Sequence, residues 1–279
     1  MFQVIIASFG YAGGVIADKI ILSKDRVPVM RFVPLLFIWI AIITGFFLPQ
    51  WGEIHQNIFQ QWQYVGLFAL MIVVAITWNI LYYQGIQKED LHEFELIMLL
   101  TPIATIALAS IFLPSERDAG ILIPAFIAAI ALLATRFRKH HASIGKTAWK
   151  TIIAMVLMSF ESILIKELLH VFSPVSLYFF RTLVLAIVFV LLYRPKLFSV
   201  PTRAYALTIL AALFGVVQMV LKYYGIDSLG VVETTMILVL GPFLVYIASA
   251  ILFKEHLYKR DLAAAAVVVA CILYVEFWR

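Results

Sequence analysis

Glu161 stands in LMSFESILI, residues 157–165, with apolar side chains on both sides. An ionisable group in such surroundings is costly, and by default it is functional and faces a cavity or a partner. It would bind a cationic or zwitterionic group, or take up a proton. The structural alternative is an ion pair with Lys166 or Lys222. A second set of candidates comes from two places 140 residues apart, where Trp78 and Gln218 are each followed by polar and aromatic neighbours: Asn79, Tyr82 and Tyr83 in one, Lys222, Tyr223 and Tyr224 in the other. Aromatic walls with a few polar groups are the usual lining of small-ligand pockets. With Tyr11 opposite them, Glu161, Trp78, Gln218 and Asn79 make a candidate binding set. The four tyrosines have an equally good bland reading as anchors at a water boundary.

Two further acids repeat. Glu93 and Glu233 each stand three residues after Asp90 and Gly230, at the starts of apolar runs. A carboxylate in the first turn of a helix is favoured by the macrodipole, and Asp90 with Glu93 has capping-box spacing. Helix starting is therefore the favoured role, with gating as the alternative. Lys222 and the prolines Pro102 and Pro242 complete the gating or coupling candidates, the prolines as kinks that could serve as hinges.

Nothing resembles catalytic machinery. His140 and His141 lie in a basic stretch, while His92, His170 and His256 are scattered, and neither a zinc-helix spacing nor a Gly-rich phosphate loop occurs. No metal, cofactor or enzyme activity is expected.

What must position these residues follows from composition. Of 279 residues, 64% are hydrophobic and 13% charged, against roughly half and a quarter in soluble domains. The chain reads as a polytopic membrane protein. The single cysteine, Cys271, excludes an intramolecular disulfide. The net charge of +5 lies in short connections and reads as membrane orientation rather than nucleic-acid binding.

A helix needs about 20 residues to cross the hydrocarbon. Windows of that size predict ten spans: 2–23, 32–49, 63–85, 91–113, 119–136, 148–170, 175–193, 204–225, 231–253 and 260–278. All are read as helices, since lipid leaves no other way to satisfy the backbone of such long segments. The first run has no basic residues before it and reads as a span rather than a cleaved signal. Gly10, Gly13 and Gly14 within it predict close helix packing. Lys19 and Lys166, near span ends, are expected to snorkel.

Shifted by 140 positions, Tyr83, Gly85, Ile86, Glu93, Ile97, Leu100, Pro102 and Ile111 fall without a gap on Tyr223, Gly225, Ile226, Glu233, Ile237, Leu240, Pro242 and Ile251. Chance would give about two or three such matches in apolar segments of this length. The fold expected is therefore all-α, a duplicated five-helix unit: residues 1–137, a basic connecting loop at 138–147, and residues 148–279. Five is odd, so the second copy enters from the opposite side, giving inverted repeats of the kind on which many secondary transporters are built. Lys24, Arg26, Arg31, Lys88, the cations from Arg136 to Lys150 and from Arg194 to Arg203, and Lys254, Lys259 and Arg260 share one side, leaving Arg117 and Arg279 on the other. That bias predicts both termini outside an inner, or plasma, membrane.

Ser173-Pro174 with Arg181 at the opening of the seventh span, Pro242 in the ninth and Glu255 in LFKE resemble the EamA type of the drug/metabolite transporter superfamily. In the first half Pro102 and FLPSE with Glu116 are similar, while Arg31 in VPVMRF comes one turn earlier than the pattern. The resemblance implies ten helices in two units, with the first, third, fourth, sixth, eighth and ninth lining a central cavity. Most relatives keep both termini in the cytoplasm, the reverse of what the loop charges predict here. The expected function is secondary-active transport of a small organic metabolite, amino-acid-like or an amine, by alternating access. A proton is the candidate coupling ion and a homodimer the candidate assembly. The alternatives are a flippase for lipids or lipid-linked sugars and, further off, a lipid-modifying enzyme using Glu161 or Asp18.

Overall fold

In the computed structural model the described residues are 1–54, 62–88, 98–137, 148–195, 200–245 and 259–278. Among them are ten α-helices: α1 Phe2–Lys19, α2 Val29–Trp51, α3 Trp62–Lys88, α4 Thr101–Phe112, α5 Ala119–Phe137, α6 Ala148–Leu168, α7 Pro174–Tyr193, α8 Thr202–Leu229, α9 Val231–Leu238 and α10 Lys259–Trp278. Outside the helices, the described residues pair in strand fashion at a single bridge, Ile54 with Phe172. The protein is a multi-pass membrane protein by length and composition. Five helices, α1, α2, α3, α7 and α8, are long and apolar enough to cross a bilayer, and apolar segments of α4, α5, α9 and α10 are shorter. The 21 residues of α6 include Lys150, Glu161, Lys166 and Glu167, too many charges for a purely lipid-facing span.

Local chemistry sets several boundaries. Ser173 caps α7 by accepting a hydrogen bond from the Ser176 amide at 3.3 Å, and Pro174 follows at the first helical position, where its missing N–H leaves nothing unsatisfied. α9 breaks at Val239 and resumes over 240–245. The break falls just before Pro242, whose ring clashes with the carbonyl four residues back. Pro102 is the second residue of α4, and the chain turns at residues 99 and 100 just before it. Pro102 thus stands in the first turn of a helix, and Pro242 just after a break in one. α1 ends in a π turn, Ile20–Lys24, closed by the Asp25 amide on the Ile20 carbonyl at 2.9 Å.

Packing runs between the halves more than within them. α1 lies along α8 and α3 along α6, α2 pairs with α7 and α5 with α10, while α4 meets α6 and α9 meets α1. Exchanging the first five helices with the last five leaves this set of pairings unchanged. The α1–α8 seam is antiparallel, with Val4 beside Gly225, Gly10 beside Gln218 and Gly13 beside Phe214. A Cβ on Gly10 would fall 2.9 Å from the Gln218 backbone nitrogen, and one on Gly13 2.8 Å from the Phe214 ring. The absence of side chains brings the two helices together. The core fills with aliphatic and aromatic side chains such as Phe32, Met71, Ile106, Leu168 and Phe189.

Tyr83 and Tyr223, which the sequence allowed to be boundary anchors, are both core residues at 7% and 0% exposure. Tyr83 packs edge-on against Phe32, and Tyr223 against Tyr178. Lys166 does not snorkel. Its ammonium donates to the carbonyls of Ile226 and Asp227 at 2.9 and 3.2 Å, among the last of α8, which lack helical donors and carry the negative end of the dipole.

Candidate functional site

Three helices bring a charged cluster together. Glu161 sits past the middle of α6 and is 3% exposed; Arg181, two turns into α7, is 2% exposed. The short link between these helices turns the chain back, so side chains twenty positions apart meet. Arg181 Nε donates to Glu161 Oε1 at 2.6 Å and Nη2 to Oε2 at 3.2 Å, a two-point contact. This geometry uses the planar guanidinium fork and gives direction as well as attraction. Trp78 on α3 completes the carboxylate, its indole Nε1 donating to Oε2 at 2.7 Å. The Arg181 guanidinium stands 5.8 Å from the centre of the Trp78 ring, within cation–π range. Trp78 thus holds the acid by its edge and the base by its face.

The ion pair anticipated for Glu161 exists, but its partner is Arg181 and not Lys166 or Lys222. Lys166 is engaged with the end of α8. Lys222 lies near the pair, and its ammonium donates to the Ser162 hydroxyl at 3.2 Å. A buried arginine eight residues into an apolar helix was the available signal for the right partner, since an intramembrane cation calls for an anion by the same logic as the acid.

The other candidates divide. Trp78 joins Glu161 directly. Asn79 is 1% exposed and donates to the carbonyl of Ala75, one turn back on its own helix. Gln218, the repeat counterpart of Trp78, lies on the glycine seam, its backbone against Gly10. Tyr11 packs its ring on Gly241, where an added Cβ would come 2.8 Å from Cδ1. Glu233 is the third residue of α9 and 7% exposed. Glu93 lies outside the described residues. Pro102 and Pro242 stand at the helix start and the helix break described above.

A contact absent from the candidate list joins the halves at another place. Glu116, in the one-turn helix Pro114–Glu116 after α4, accepts from the amides of Val231 and Val232 at 2.9 and 3.1 Å through its two oxygens. These are the first amides of α9, which lack helical acceptors and attract a carboxylate. Gly230 precedes them at φ 91° with Glu116 pressed against it. A side chain at Gly230 would be strained in backbone and would displace the carboxylate.

Residues 145–277 match the model of the EamA-like transporter family. The match lies wholly in the second half of the chain. The EamA match takes in both Glu161 and Arg181. A solved crystal structure superposes on the whole chain with TM-score 0.77, covering 99% of this chain and 97% of that one at 14% identity, a likeness of fold. No curated protein matches significantly.

Proposed function

We propose that this EamA-type protein is a secondary-active carrier that moves a small organic metabolite across the inner membrane by alternating access between two inverted five-helix repeats. The observation that carries the reading is the Trp78–Glu161 contact. It joins a polar group of the first half to a buried ion pair of the second, in the part of the molecule where helices of both halves meet. Rocking of the halves would make and break this contact, which is what alternating access asks of a site between repeats. The six helix pairings named above, which exchange into one another when the halves are swapped, support the inverted repeat. Glu116 on the first amides of α9 is suited to a closing contact, since it joins an exposed turn of the first half to a helix start of the second. We place both termini outside on the one-sided loop charges and take the proton as coupling ion.

The test is uptake of labelled amino acids, amines and organic acids into proteoliposomes, with Glu161→Gln and Trp78→Phe alongside the wild type. Saturable uptake that both substitutions reduce is expected. Movement of labelled lipid between leaflets without any solute uptake would replace this reading with a flippase.

A further inference from the structure

The central cluster is unequal in charge. Glu161 supplies a carboxylate, and both of its oxygens are occupied, Oε1 by Arg181 and Oε2 by Arg181 and Trp78. Lys222 reaches the residue next to Glu161, yet it donates to the neutral Ser162 hydroxyl at 3.2 Å. An ammonium has three donors. Among the described residues of this cluster, two cations, Arg181 and Lys222, therefore stand with one acid, Glu161.

Asp18 does not redress the balance. Because α1 and α8 run antiparallel with Gly10 beside Gln218, Asp18 lies about 12 Å along the seam in one direction and Lys222 about 6 Å in the other, at 1.5 Å per residue. Asp227, near the end of α8, is exposed. A half-buried cation without its own counter-charge is costly in a membrane interior and calls for an anionic partner.

An independent observation points the same way. Tyr223 is 0% exposed, its ring packs on Tyr178, and its hydroxyl has no hydrogen-bond partner among the described residues. Tyr223 follows Lys222 on α8, and Tyr178, on which its ring packs, lies one turn before Arg181 on α7. A buried hydroxyl is ordinarily paired, and leaving it unpaired costs free energy. The surplus ammonium and the unused hydroxyl both suit an acceptor that carries negative charge.

We propose that Lys222, with Ser162 and Tyr223, forms an anion subsite and that the transported solute bears a carboxylate. This deepens the carrier reading above and rests on it. The expectation of an amine or zwitterion bound at Glu161 changes accordingly. Arg181 and Trp78 take three of the roughly four acceptor positions of Glu161, and the guanidinium already balances its charge, so amines lacking a carboxylate are poor ligands.

The test uses full-length protein in detergent and in proteoliposomes, with three matched probe sets: phenylacetate, phenylacetamide and phenethylamine; hexanoate, hexanamide and hexylamine; and leucine, leucinamide and isopentylamine. Thermal shift is expected to show carboxylates binding about tenfold more tightly than their amides, the size of one charge-assisted hydrogen bond. Lys222→Met should remove the preference while remaining folded, because it deletes a half-buried charge, and Lys222→Arg should restore it. Amines or amides binding as well as carboxylates, no carboxylate binding in any set, or an undiminished preference in Lys222→Met would each overturn the proposal. Uptake separates this from the carrier reading: flux of amides or amines without carboxylate preference removes only the subsite, whereas lipid movement with no solute flux removes the carrier.

Discussion

Arg181 grips Glu161 at two points, with Nε 2.6 Å from Oε1, although each side chain belongs to a different helix and both are almost wholly enclosed. Removing one member strands the other. Glu161→Gln or Arg181→Leu should lower stability by about 3–5 kcal/mol, the usual cost of an orphaned buried charge. The combined variant should lose less than the sum of the two, because the interaction is shared. Denaturation of the four proteins in one detergent gives the coupling directly, and additive losses would show that the pair is not a unit.

Trp78→Phe separates two roles of one side chain. The ring that faces Arg181 is kept, while the N–H that holds Glu161 is lost. Stability should fall by about 1–3 kcal/mol, the range for a hydrogen bond to a charged group, and uptake should slow. Unchanged uptake would mean that the contact between halves has no part in the cycle.

The glycine seam predicts a graded series. Gly10→Ala places a methyl group against immovable backbone at 2.9 Å, whereas in Gly14→Ala the nearest neighbour is the Phe214 Cβ at 3.8 Å. The first should cost about 1–3 kcal/mol through overpacking, and the second should be nearly neutral. Melting temperatures of the two variants provide the comparison.

Glu116→Ala should cost about 1 kcal/mol, as loss of a helix cap does, and should expose the Val231 and Val232 amides. Hydrogen exchange at these two positions should quicken relative to the rest of α8 and α9. If the contact holds one face closed, uptake should also lose its steep dependence on conformational closing and become leaky to substrate on that side.

Much of the helical layout was legible because a bilayer demands long apolar runs and short polar links. The acid was legible for the same reason: Glu161 has no helix end near it to explain its charge. Its partner was not. Three cations, Lys166, Lys222 and Arg181, were available, and the sequence pointed to Lys166 or Lys222. The close link between α6 and α7 instead folds Arg181 back on the acid, while the end of α8 draws Lys166 away. Glu116 was visible in FLPSE as part of a resemblance, but its role depends on Val231, 115 residues later, and no local pattern encodes that meeting. Gln218 was chosen as the counterpart of Trp78. The glycines of α1 make its surroundings different, because the repeat preserves helix pairing without preserving what lies between the helices.

Ser173 does more than cap α7. Its hydroxyl donates to the Trp51 carbonyl at 3.1 Å and accepts from the Glu53 amide at 2.9 Å, while its own amide donates to the Glu53 carbonyl at 3.0 Å. α2 and α7, packed side by side, are therefore knotted where one finishes and the other starts. Two rods pinned at one end can pivot about the pin, but they cannot slide past each other. In the alternating-access cycle proposed above, Ser173 would be the spindle, and the axis about which the halves turn should pass beside it.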